Sequence, residues 1–257
     1  MNRITALFEK KQENLLSVYF CAGHPDCNST VPVIQALAEK GVDMIEIGIP
    51  FSDPVADGPV IQQAAQQALH NGMKIKVLFD QLKTIRNQIE IPLILMGYLN
   101  PIMQYGFERF CQTCQQCGID GLIIPDLPFQ EYLDYYKPIA DRFDLKIIML
   151  ITPATSEERI RFIDSHTDGF IYMVSAAATT GARQMFEKQH LEYFNRIHKM
   201  QLRNPRMIGF GISNKATADA ARQYASGIII GSKFISILDQ EKDPMKAVEI
   251  LLQTLSE

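Results

Sequence analysis

No apolar run in this 257-residue sequence approaches the roughly 20 residues that a membrane-crossing helix needs. Residues 1–11 lack the apolar core of a secretion signal, so a cytoplasmic protein is expected. Nor is there an excess of basic residues. The 25 Lys and Arg stand against 29 Asp and Glu, a net charge of −4, which argues against nucleic acid or an anionic membrane as the main partner. Cysteine is sparse and odd in number, five in all, so no disulfide framework is expected. Cys111, Cys114 and Cys117 have CxxCxxC spacing, yet no nearby fourth Cys or His completes a zinc-type set. Phe107, Phe110, Cys111 and Cys114 fall on one helical stripe, so a core role is expected and no metal. The histidines are scattered, with no ligand pair at helical spacing. No linker or shift in composition divides the chain, and one domain over residues 1–257 is expected.

What is present is a core and a rhythm. The hydrophobic class makes up 47% of residues and charged residues 21%, enough to bury a sizeable interior. After a short amphipathic helix over 1–11, short apolar strands are predicted at 15–22, 45–49, 92–98, 121–126, 146–152, 169–175, 206–211 and 227–231. Helices are predicted between them at 31–40, 61–70, 74–87, 102–117, 130–142, 156–165, 190–201 and 215–224, with a final helix to the C-terminus. Strands apolar on both faces suit a parallel sheet. Eight βα units predict an α/β fold, a closed (β/α)8 TIM barrel with an extra N-terminal helix.

Residues 45–59 are the centre of the reading. Ile45, Ile47 and Ile49 share one face of a strand, leaving Met44, Glu46 and Gly48 on the other. A carboxylate on a short apolar strand is costly unless it has a partner or a task. The loop that follows, stiff with Pro and Asp, holds Asp53 and Asp57. A solvated turn would explain Asp-Gly-Pro alone, but not an inward Glu46. Both Glu46 and Asp57 fall at the strand ends where barrels place their chemistry.

The last two strands finish in Gly209-Phe-Gly-Ile-Ser213 and Gly231-Ser232, at the loops where barrels commonly hold phosphate. Gly211, Gly231 and Ser232 are candidate phosphate contacts, and Gly181 could add a further N–H. No lysine is placed for a Schiff base: Lys146 begins its strand and Lys233 follows the phosphate loop. General acid–base work by Glu46 and Asp57 remains. A buried Glu46 is expected to hold a proton at neutral pH, whereas Asp57, in a polar loop beside backbone donors, is expected to stay ionised. By alternation Tyr19, Met96, Ile123, Ile151, Tyr172, Phe210 and Ile229 face inward at the strand tops. They are barrel filling or the lining of a flat hydrophobic site, which suggests an aromatic ligand with a phosphate tail.

Over essentially its full length the chain resembles the tryptophan synthase alpha subunit family. The matching segments are Glu46-Ile-Gly-Ile-Pro-Phe-Ser-Asp-Pro-Val-Ala-Asp-Gly-Pro59, Met96-Gly-Tyr-Leu-Asn-Pro101, Pro125-Asp-Leu-Pro128, Gly209-Phe-Gly-Ile-Ser213 and Gly231-Ser232. The resemblance implies retro-aldol cleavage of indole-3-glycerol phosphate to indole and glyceraldehyde 3-phosphate. Glu46 matches the acid–base glutamate and Asp57 the catalytic aspartate. Gly181, Gly211, Gly231 and Ser232 match the phosphate contacts, and Thr180 lies in the loop that closes over substrate. It also implies a beta-subunit partner in an α2β2 heterotetramer, with Asp53 in the region that communicates with it. Pyridoxal phosphate would belong to that partner, with no cofactor in this chain. The chain departs from the family pattern at His24, where Asp is usual, and in Ser175-Ala-Ala-Ala-Thr-Thr-Gly181, where Arg and Gly are replaced by Ala176 and Ala178. Two alternatives follow: a weakly active or inactive subunit that mainly binds and activates the beta subunit, or another phosphate-binding barrel such as a sugar-phosphate isomerase, which predicts a more polar pocket.

Overall fold

The computed structural model describes residues 1–175 and 185–257. Eight parallel strands close into a barrel in sequence order, β8 pairing back onto β1. They are β1 (Leu15–Cys21), β2 (Met44–Gly48), β3 (Leu93–Met96), β4 (Gly121–Ile123), β5 (Lys146–Ile151), β6 (Ile171–Val174), β7 (Arg206–Gly209) and β8 (Gly227–Ile230). Almost every strand residue is buried, as their continuous apolar runs require. The helix Arg3–Lys10 lies across the N-terminal end, its Asn2 cap bonded to the carbonyls of Asp120 and Asp144. Asp120, 3% exposed, ties that end together by pairing with Arg3 at 3.0 Å and Arg86 at 2.6 Å. Phe107, Phe110, Cys111 and Cys114 are all buried on one helix, as their spacing predicts. The five cysteines are free. Among the described residues no helix is long and apolar enough to cross a membrane.

Four predicted helices are interrupted. The one over 102–117 is two, Leu99–Tyr105 and Phe107–Gln116, because Gly106 takes φ +90° between them. The one over 74–87 stops at Leu82, and a short 3-10 turn, Ile85–Asn87, follows. The segment over 130–142 widens into a π turn at Tyr132–Tyr136 before Lys137–Arg142. The C-terminal helix is also two, Ser232–Glu241 and Pro244–Thr254. Lys242 is left-handed, and the Asp243 side chain caps the second by accepting from the Met245 and Lys246 N–H groups.

Alternation places the functional residues. Tyr19 on β1 and Tyr172 on β6 occupy space that a side chain at Gly48 or Gly209 would fill. Glu46, two residues from Gly48, points to the same interior face and is fully buried.

Candidate active site

At the C-terminal end of the strands a cavity of about 240 Å³ is lined by Tyr19, Asp57, Met96, Tyr172, Phe210, Gly211, Ile229, Gly231 and Ser232. Val60, Ile61, Ile212, Ser213, Lys233 and Ser236 complete it. Nine residues named from alternation and loop position thus converge on one space. Ile123 and Ile151 do not reach it. Both are 0% exposed and belong to the buried core rather than to the lining of this cavity. Thr180 and Gly181, with Ala176 and Ala178, lie outside the described residues. Asp53 is exposed on the loop, where its Oδ2 accepts from the Ser52 hydroxyl at 2.5 Å.

Glu46 is fully buried and does not line the cavity, but its charge acts on Tyr19 and Tyr172, which do. Its Oε1 accepts from Ser17 Oγ at 2.8 Å, and its Oε2 is buried with no partner. Burial pushes the carboxyl up to about 8, against a smaller downward pull from the Ser17 hydroxyl. At neutral pH Glu46 therefore holds a proton and can give it away.

Asp57, expected in a polar loop beside backbone donors, is only 4% exposed. Its side-chain donors are not backbone groups. The Tyr98 hydroxyl donates to Oδ2 at 2.9 Å while accepting from the Ala56 N–H at 2.9 Å, clasping the loop and the carboxylate together. Asp57 N–H bonds to the Pro54 carbonyl at 3.0 Å, and Gln62 holds the Asp57 carbonyl at 2.9 Å. Burial raises the carboxyl to about 6, and the Tyr98 hydroxyl pulls it down. Asp57 thus stays mostly ionised near pH 7, below Glu46 in order. The fields of both carboxylates reach Tyr172 and Tyr19, raising each phenol beyond the effect of burial. Sequence reasoning missed Tyr98 and Ser17. Tyr98 stands just past the end of β3 in the segment Met96-Gly-Tyr-Leu-Asn-Pro101, a position where barrels place their chemistry and a signal that could have marked it.

At the other side of the cavity, Phe210 and Gly211 have φ +68° and +75°. A left-handed Phe is a costly conformation that clusters at functional sites, and here Ser175 Oγ holds the Phe210 carbonyl at 2.5 Å. The helix Ser232–Glu241 begins at Gly231 with no side-chain cap. Ser232 Oγ is buried without a partner. A free hydroxyl, a turned backbone and a helix start are groups whose chemistry suits an anion. Among the described residues no group of side chains could hold a metal. A larger cleft, about 1020 Å³, opens at the N-terminal face between Arg3–Lys10 and the starts of several strands, but it holds neither carboxylate.

A family model described as "Tryptophan synthase alpha chain" matches residues 5–257. The chain belongs to the tryptophan synthase alpha chain family. The alpha chain of Bacteroides thetaiotaomicron is 63% identical over 248 residues, covering 96% of this chain and 97% of that one. The crystal structure of the alpha chain from Legionella pneumophila superposes with a TM-score of 0.89 at 35% identity, covering 99% of this chain and 96% of that one. An aminoacrylate-bound tryptophan synthase structure from M. tuberculosis gives 0.86 at 28% identity, covering 99% and 98%.

Proposed function

We propose that Glu46 and Asp57 carry the acid–base steps of this family's reaction, the retro-aldol cleavage of indole-3-glycerol phosphate to indole and glyceraldehyde 3-phosphate. The observation that supports this most is the order of the two carboxyls: one neutral, one ionised, around a single apolar cavity. Glu46 gives its proton to indole C3. Asp57 takes the proton from the indole nitrogen, leaving an indolenine. Glu46, now a carboxylate, removes the proton of the side-chain hydroxyl adjacent to C3. The C–C bond breaks toward the ring as the aldehyde forms. The nitrogen recovers its proton from Asp57, so both acids return to their starting states. To do this, the Glu46 carboxyl must turn from Ser17 into the cavity.

Tyr19, Met96, Tyr172, Phe210 and Ile229 would hold the indole ring, while Gly211, Gly231 and Ser232 receive the phosphate. The family implies a beta-subunit partner. We extend this to an α2β2 heterotetramer in the cytoplasm, with pyridoxal phosphate in the beta subunit, none in this chain, and Asp53 on the communicating loop. Residues 1–257 would act as one domain. Glu46→Gln tests the assignment: it should bind substrate yet release no indole. Retained turnover would move the acid role elsewhere.

A further inference from the structure

One cation in the cavity has no role in the acid–base chemistry. Lys233 is the second residue of the helix Ser232–Glu241 and lines the cavity beside Gly231 and Ser232. A positive charge in the first turn opposes the helix dipole, and this first turn contains no acidic residue to offset it. Several other lysines have carboxylates close by, as in Lys11–Asp43, Lys40–Glu249, Lys137–Asp141 and Lys246–Glu241, whereas Lys233 lines a cavity. Lys233 forms no ion pair or side-chain hydrogen bond among the described residues, although it is half-buried. Its neighbour Ser232 likewise keeps a buried hydroxyl without a partner. A buried hydroxyl without a partner and, beside it, an unpaired ammonium at one corner of a mostly apolar cavity are groups suited to an anionic partner from outside the chain.

Charge balance points the same way. Among the described residues, Asp57 and Lys233 are the only acidic or basic side chains lining the cavity. A phosphate monoester brings about −1.5 to −2 charge near neutral pH. Entering beside ionised Asp57, it would be repelled unless a cation stood at its end of the site. Backbone N–H groups supply geometry there, but no full charge.

We propose that Lys233 is a specificity-determining residue for the reaction, its ammonium neutralising the substrate phosphate and selecting the phosphorylated glycerol side chain over the dephosphorylated one. This rests on the lyase reading above. An ammonium on a flexible stem suits this task, acting as a point charge without demanding fixed geometry.

The test compares wild type with Lys233→Met and Lys233→Arg, using indole-3-glycerol phosphate, dephosphorylated indole-3-glycerol, and inorganic phosphate as a competing probe. For Lys233→Met, KM for the phosphorylated substrate and the inhibition constant for phosphate should both rise about tenfold, while kcat changes far less. The preference for phosphorylated over dephosphorylated substrate, as a ratio of kcat/KM, should fall by a similar factor, and Lys233→Arg should restore most of it. Removing a cation from the first turn should leave the melting temperature unchanged or raise it, so the variant will fold. Unchanged KM and phosphate inhibition in Lys233→Met would overturn the proposal while leaving the lyase reading intact. Wild-type protein that binds phosphate but never releases indole would instead sink the lyase reading. The phosphate probe would still decide the role of Lys233.

Discussion

Ser17 Oγ donates to Glu46 Oε1 at 2.8 Å, while the other oxygen of the same carboxyl is buried and unpartnered. The hydroxyl pulls the acid's pKa down, and burial lifts it to about 8. Ser17→Ala removes only the downward pull. The alkaline limb of the kcat/KM profile, expected near 8 in the wild type, should move to higher pH in this variant. A pH–rate profile reads the shift, and a limb that stays put would mean that Glu46 is not the group it reports.

Tyr98 does for Asp57 what Ser17 does for Glu46, and it anchors the loop through Ala56 as well. In Tyr98→Phe the acidic limb should rise above its wild-type position near 6. Activity near pH 7 should fall by about tenfold or less and partly recover as pH rises. A uniform loss at every pH would instead mean that the loop has moved.

Strand order, barrel closure and the carboxylate on β2 were legible in the sequence because period-two alternation and apolar runs report which face is buried. Glu46 stands out for being the wrong residue type on such a face. The helix breaks were partly visible: Asp243-Pro244 carries a cap and a Pro start, and Gly106 sits inside an otherwise continuous pattern. Alternation gives direction but not exposure, so it could not separate Met96, which lines the cavity, from Ile123 and Ile151, which are fully buried and outside its lining. The Tyr98–Asp57 bond joins residues 41 positions apart, brought together because β2 and β3, which they follow, are paired neighbours.

Burying Glu46 has a thermodynamic cost that depends on pH. Its folded pKa, about 8, lies above the ordinary 4.5, so the folded state binds the proton more tightly than the unfolded one. The sign follows: this group's contribution to stability is greatest below pH 4.5 and declines as pH rises to about 8. Glu46→Gln, which never ionises, should gain stability over wild type across that window, on the order of a few kcal/mol by pH 9. Urea melts at pH 5 and pH 9 measure it. A difference independent of pH would contradict the assigned burial.

The opposite end of the barrel should be separable from catalysis. Asp120 accepts from Arg3, Arg86 and the Leu93 N–H, and is itself buried. Asp120→Ala leaves the partly buried Arg86 without its carboxylate and should cost about 3 kcal/mol in denaturant unfolding. Lyase turnover per folded molecule should be unchanged, because the substitution lies at the N-terminal face. Loss of turnover in fully folded protein would show that the two ends are coupled.

The most direct measurement is indole release from indole-3-glycerol phosphate by the purified chain, with and without a beta subunit, beside Asp57→Asn. The account predicts slow release alone, a large rise with the partner, and loss of both in the variant. No release in either condition, despite substrate binding, would contradict it and leave a subunit that serves its partner without chemistry of its own.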